Sequence, residues 1–125
     1  MSYNVQCSYG EIVDKLTILE IKLSKSNDEI KSKHIMDEYN EIKHLKQSGF
    51  QFNELYEELK DINKILWECE DKIRIKSKLK EFDKEYISIS EKIHKKNDLR
   101  HKLKRSISIM YQSYIVEEKI YKIIV

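Results

Sequence analysis

No proline and no alanine occur in this sequence, and only two glycines do. With so few residues that oblige a chain to turn, long helices joined by short connections are expected. The missing alanine is unusual for a helical protein, because alanine is the best helix former. Lysine, isoleucine, asparagine and tyrosine take its place, with isoleucine present 19 times, a usage that points to an AT-rich coding genome. The two cysteines, Cys7 and Cys69, lack the spacing of a zinc site, and Cys69 reads as a small buried hydrophobe. No apolar run approaches membrane-spanning length and no charged and apolar leader opens the chain, so a cytoplasmic, reducing location is expected. Gly-rich phosphate loops, a nucleophile elbow and a Ser/His/Asp arrangement are likewise missing.

What the sequence does contain is helical periodicity. Leu55, Leu59, Ile62, Leu66, Cys69 and Ile73 recur at alternating spacings of four and three, which stacks them on one face of a helix from about Asn53 to Lys76. An earlier helix starts at the Ser8–Glu11 capping box, with Ile12, Leu16, Leu19 and Leu23 inward and Val13 on the flank. A second, capped by Asn27–Asp28, runs to about Gln47 with Ile30, Ile35, Tyr39, Ile42 and Leu45 inward. Gly49 is suited to stop it, and Phe50 and Phe52 to anchor the crossing into the third. A tight turn is expected around Ser77–Asp83, followed by a fourth helix from Asp83 to Met110 that buries Tyr86, Ile93, Leu103, Ile107 and Met110. The expected architecture is a single all-α domain over residues 1–125, a bundle of about four helices dominated by an antiparallel helix 3–helix 4 hairpin.

The net charge of +2 conceals segregation. Residues 54–71 hold seven acids and two lysines, whereas residues 92–105 hold seven Lys/Arg and one Asp. Folding the hairpin at about residue 81 brings these blocks side by side, where each would neutralise the other. An RNA-binding role for Lys92–Arg105 is therefore placed last among the readings, and nucleic acid is not expected as a partner.

Beside the apolar rows run polar ones at the same spacing. Helix one carries Glu11, Lys15 and Lys22, with Asp14 adjacent. Helix three carries Asn63, Trp67, Glu70 and Arg74, and helix four carries Asn97, Arg100 and Lys104. The chain has only three arginines against 21 lysines, and two of the three fall on these stripes. A planar guanidinium grips carboxylate or phosphate through two hydrogen bonds, as lysine does not. The candidate ligand-binding set is therefore Lys15, Trp67, Glu70, Arg74, Asn97, Arg100 and Lys104, aimed at an anionic small molecule with Trp67 as a stacking wall. The competing explanation is an internal salt-bridge network that sets helix register.

Glu41–His44 and Glu91–His94 repeat the Glu-x-x-His spacing of ferritin-like di-metal bundles. Ile42, Leu45 and Ile93 claim the core side of those turns, so no metal and no cofactor is expected.

Four segments, Gly10–Lys22, Leu66–Arg74, Asn97–Arg100 and Val116–Tyr121, together resemble a family of small all-helical proteins of unknown function from bacteria, phages and large DNA viruses. The resemblance spans nearly the whole chain. It implies no defined activity, and by association alone it implies a role in a glycan-related pathway. Its motif residues correspond here to those on the stripes, together with Glu20, Asp71, Glu117, Glu118, Lys119 and Tyr121. Departures stand at His94, where the family has an aromatic residue, and at Gln112, where it has glycine.

The reading of function that follows is a helical binding or assembly module. It would recognise an anionic, sugar-phosphate-like small molecule or a protein partner. A small bundle enzyme presenting Arg and Lys to an anionic substrate is the alternative. Isoleucines and tyrosines in the last fifteen residues are suited to burial against a second copy, which would make a homodimer. No membrane association is expected.

Overall fold

The computed structural model describes residues 1–46, 54–113 and 115–121, and over these it is all-helical. Helix α1 spans Tyr9–Lys25 and α2 spans Glu29–Ile42, followed by a 3₁₀ turn at Lys43–Leu45. Helix α3 spans Glu54–Lys78 and α4 spans Lys84–Met110. Helices α3 and α4 form the most extensive pairing, and α1 packs against both of them as well as against α2. The expected Gly49 stop and the Phe50, Phe52 and Asn53 positions lie outside the described residues, as do residues 122–125 and Tyr114.

Helices α1, α2 and α4 begin where a short polar side chain can accept the orphan N–H groups of a first turn. The Ser8 hydroxyl accepts from the Glu11 N–H at 3.2 Å, while the Glu11 carboxylate accepts from Lys104 of α4. Asp28 accepts from the N–H groups of Ile30 and Lys31, and Asp83 accepts from that of Tyr86. The hairpin turn lacks Gly and Pro, and the chain closes it with a strained lysine. Lys80 has φ 57°, and the Glu81 N–H reaches back to the Lys76 carbonyl at 2.8 Å, the six-to-one bond of a left-handed helix stop. The Lys76 ammonium then binds both Asp83 oxygens, at 3.1 and 2.9 Å, fastening the two helix ends together.

The core is built on Val13, Tyr56, Leu59 and Ile107, with Tyr9, Leu55, Leu103 and Tyr111 packed around it. Leu16, Leu19, Ile21, Leu66, Cys69 and Ile89 are also buried. Burying each such Leu, Ile or Val side chain removes about 1.5–3 kcal/mol of apolar exposure. The α3 row behaves as its spacing predicts, with Leu59, Leu66 and Cys69 buried and Leu55, Ile62 and Ile73 half-buried.

Two expectations about apolar faces need correction. Helix α2 contains no buried residue: Ile30 is exposed, Ile35, Tyr39 and Ile42 are only half-covered, and Leu45, past the helix in the 3₁₀ turn, is exposed. The helix has α1 as its one extensive helical neighbour, so a face meant for a core meets only one surface. On α4, Met110 is exposed, and Ile89, one turn earlier than Ile93, is buried instead.

The charge pattern also resolves differently from expectation. Among the described residues no ion pair joins an acid of 54–71 to a base of 92–105. The basic block is met by α1 and the C-terminal segment: Arg100 by Asp14, Lys104 by Glu11 and Glu117, and Arg105 by Glu118. The physical reason is that α3 and α4 meet along apolar faces, so charged side chains flanking that seam diverge. Those on the α1 side find the acids of α1.

Helix α1 can approach α4 closely because of Gly10. A Cβ there would stand 2.1 Å from the Lys104 carbonyl oxygen and 2.7 Å from its carbon. The Gly10 N–H donates to the Ser108 hydroxyl at 2.9 Å and the Tyr9 N–H to that of Ser113 at 2.9 Å. The start of α1 is thereby satisfied by serines of the α4 end as well as by its own cap.

No described helix is long and apolar enough to cross a membrane.

Candidate functional site

Helices α1, α3 and α4 converge on one buried carboxylate. Asp14 is about 1% exposed, because α1 turns Val13, Asp14, Leu16, Thr17, Leu19 and Ile21 inward. Burying an isolated charge would cost several kcal/mol, so partners are required. Asn63 of α3 donates its amide to Asp14 Oδ1 at 2.9 Å and to Thr17 Oγ1 at 2.8 Å. Thr17 in turn donates to the Asp14 backbone carbonyl at 2.7 Å. From α4, Arg100 donates Nε to Oδ1 at 3.0 Å and Nη2 to Oδ2 at 2.5 Å, the two-pronged geometry that lysine cannot supply. The hydrogen bond to Asp14, working against partial burial, raises the Arg100 pKa above its usual value.

Over this network opens a cavity of about 440 Å³. Ile18 and Ile21 of α1 and Leu66 of α3 form its apolar side. The Trp67 indole adds to that side, while Asn63, Glu70, Asp71 and Arg74 of α3, with Asn97 and Arg100 of α4, give it polar walls. The row predicted on α3 from its spacing thus lines one cleft, together with two of the three stripe residues of α4.

Lys15 and Lys104 are placed elsewhere. Lys15 turns away toward α2, where its ammonium meets Glu38 at 2.8 Å. Lys104 lines an adjoining hollow of about 250 Å³, which shares Asn97 and Arg100 with the cleft. There Lys104 bridges Glu11 at 2.7 Å and Glu117 at 3.5 Å. The hydrogen bond from Lys104 outweighs burial and holds the Glu11 carboxyl below its ordinary range.

Charge accounting then changes the chemistry expected of the cleft. Arg100 is committed to Asp14, whereas Arg74 is 80% exposed and only loosely approached by Glu70, at 3.9 Å. Two acids, Glu70 and Asp71, share the wall with the two arginines. The cleft is a mixed polar surface beside an indole and not a cluster of unpaired cations. It can grip one anionic group through Arg74, accept hydrogen bonds from hydroxyls at its carboxylates, and exchange hydrogen bonds with Asn97.

Asp14, Thr17, Ile21 and Asp71 complete the site without belonging to the candidate set drawn from the sequence. The available signal was an acid and a hydroxyl three residues apart, interrupting the apolar series Val13, Leu16 and Leu19. The two Glu-x-x-His pairs lie on exposed faces, and among the described residues no three His, Cys, Asp or Glu side chains gather at a common point.

A second polar cluster holds α1 to α3 at the far end. Glu20 accepts from Lys46 at 3.0 Å, from Lys60 at 2.7 Å and from the Tyr56 hydroxyl. Burial would push Glu20 up, but the bonds from Lys60, Tyr56 and Lys46 prevail and lower its pKa. Burial and the Glu20 charge together drive the Tyr56 phenol far upward, fixing it as a donor.

A family model described as a family of unknown function (DUF6165) matches residues 3–125. No curated protein and no solved structure matches the chain.

Proposed function

Because this chain belongs to the family of unknown function DUF6165, it inherits no activity from its relatives, and we propose one from the cleft itself. It is a helical binding module for a hydroxyl-rich small molecule that carries one anionic group, of the sugar-phosphate type. The observation that carries this reading is the composition of the 440 Å³ cavity, which Arg74, Asn97, Glu70 and Asp71 line together with Trp67. Arg74 takes the anion because its fork is the one guanidinium there not already clamped. Glu70, Asp71 and Asn97 take hydroxyls, and Trp67 offers a flat apolar wall to the ring. A polyanion fits this cleft poorly, since two carboxylates would face it. The enzyme alternative at this cleft is weaker on the same ground: Lys15, Arg100 and Lys104 already have acid partners, so among the described residues no array of free cations lines the cleft to act on a dianion.

Calorimetric titration with a panel of hexose monophosphates tests the reading. Saturable binding is expected for at least one, and Arg74→Ala should weaken it about tenfold or more, the worth of one charged hydrogen bond. The melting temperature should not change, because Arg74 is exposed. A panel that gives no saturable binding, or an Arg74→Ala variant that binds like wild type, would remove the proposal.

Self-association is a second reading, favoured by one observation. Ile75, Leu79, Phe82 and Ile87 at the hairpin tip are each 57–61% exposed, more apolar surface in one place than solvent contact explains. Sedimentation of wild type against Phe82→Lys decides it, with a monomer–dimer shift lost in the variant as the expected outcome.

A further inference from the structure

We propose that the corner where α1 hands over to α2 is a second binding site, specific for a small anion carrying two or more phosphate groups. It is distinct in place and chemistry from the α1–α3–α4 cleft. A hollow of about 740 Å³ opens there, lined by Lys22 and Lys25 of α1, Asp28, Lys31 and His34 of the α2 start, and Trp67.

The charge of this hollow is one-sided. Three lysines face a single acid, and that acid is already engaged: Asp28 Oδ1 accepts the N–H groups of Ile30 and Lys31 at 2.9 and 3.0 Å. Among the described residues, Lys22, Lys25 and Lys31 have no ion-pair partner. The nearby Lys15 and Lys33, by contrast, meet Glu38 and Asp37 at 2.8 and 2.9 Å. Mutual repulsion of ammonium groups around one hollow is relieved when an anion enters, and the gain is greatest for an anion with charge enough for several of them. A single carboxylate would leave most of the cations unmatched, whereas a pyrophosphate-type group can meet three. His34 supplies a further donor on the same rim.

Trp67 gives the hollow its second property. The Lys25 ammonium stands 6.0 Å from the indole centroid, at the edge of cation–π range. The same indole borders the α1–α3–α4 cleft. As the only tryptophan of the chain, it reports occupancy of either place by its fluorescence.

The test is titration of the full chain with inorganic pyrophosphate, read by Trp67 fluorescence and by heat. Saturable binding is expected, falling with added salt. Lys22→Ala and Lys31→Ala should each weaken it about tenfold, the effect of losing one charge-assisted contact. Arg74→Ala, and Lys92→Ala with Lys95→Ala on the exposed face of α4, should leave it unchanged. Lys31 is exposed, so its variant keeps the test valid if the Lys22 variant fails to fold. Adenosine diphosphate run in parallel separates two sources of the phosphate: tighter binding than pyrophosphate adds a base beside Trp67, and equal binding assigns recognition to the phosphates alone. Absence of saturable binding would overturn the site, as would wild-type affinity in both corner variants, or an equal loss in the α4 variants. Sugar-phosphate binding lost in Arg74→Ala but kept in Lys31→Ala would leave the cleft standing whatever happens at the corner.

Discussion

Gly10 is where one hydrogen atom in place of a methyl group decides how two helices meet. Because an added Cβ would fall 2.1 Å from the Lys104 carbonyl oxygen, Gly10→Ala must push α1 off α4. It should cost at least about 1–3 kcal/mol, the range for overpacking, despite alanine's better helix propensity. Chemical denaturation will show this as a lower midpoint, and an unchanged or raised midpoint would contradict the close approach. The opposite substitution applies at two residues with left-handed backbone. Lys80 has φ 57° and Gln112 has φ 52°, where a side chain is disfavoured by about 1–2 kcal/mol. Lys80→Gly and Gln112→Gly should therefore each raise the midpoint, offset in part by the added freedom of the unfolded glycine. Gln112 is the position where the resemblance implied glycine, the residue that its left-handed φ favours. Glu20, like Glu11, contributes to the acid side of the pH dependence. Its folded pKa is lowered by Lys60, Tyr56 and Lys46 against burial, so its stabilisation is present above the ordinary value of 4.5 and is lost as pH falls through the lower folded value. Denaturation midpoints measured down through that acid range should fall less steeply in Glu20→Gln than in wild type.

The helices differ in how firmly they are held. Helices α3 and α4 are bound along their length and fastened at the turn by Lys76 and Asp83, while α2 rests on α1 and buries nothing completely. Local opening free energy follows buried apolar contact. Amides of α2 should therefore exchange with deuterium well before those of the mid-turns of α3 around Leu59–Leu66, and equal protection in the two would contradict this order. Helix positions and most helix ends were legible in the sequence, because Ser8, Asp28 and Asp83 are caps whose side-chain chemistry acts within three residues. The orientation of α2 was not. Its Ile35, Tyr39 and Ile42 satisfy a helical stripe equally well with or without a neighbour to cover it, and only the placement of other elements settles that.

Across the whole molecule, two arginines at similar spacing have separate tasks. Arg100 neutralises a buried carboxylate, and removing one partner of such a pair costs about 3–5 kcal/mol because the other is left uncompensated. Arg100→Ala should accordingly lower the melting temperature markedly, and Asp14→Ala should do the same. Arg74→Ala should spare stability and change only ligand binding. Lys15→Ala should alter neither beyond the small loss of an exposed pair with Glu38.

The sequence by itself determined which segments are helical, which face of α3 is apolar, and that amides, acids and arginines border that face on three helices. Those features follow from local spacing, caps and propensity, which act over one or two turns. The tertiary structure alone decided that Arg100 meets Asp14 across 86 residues, that Lys15 leaves the cleft for Glu38, and that among the described residues the basic stretch of α4 is answered by α1 and the C-terminal segment and not by α3. Which charges meet depends on the rotation of each helix about its own axis when apolar faces close. A rotation of a fraction of a turn exchanges one partner for another while leaving the periodic pattern of the chain unchanged.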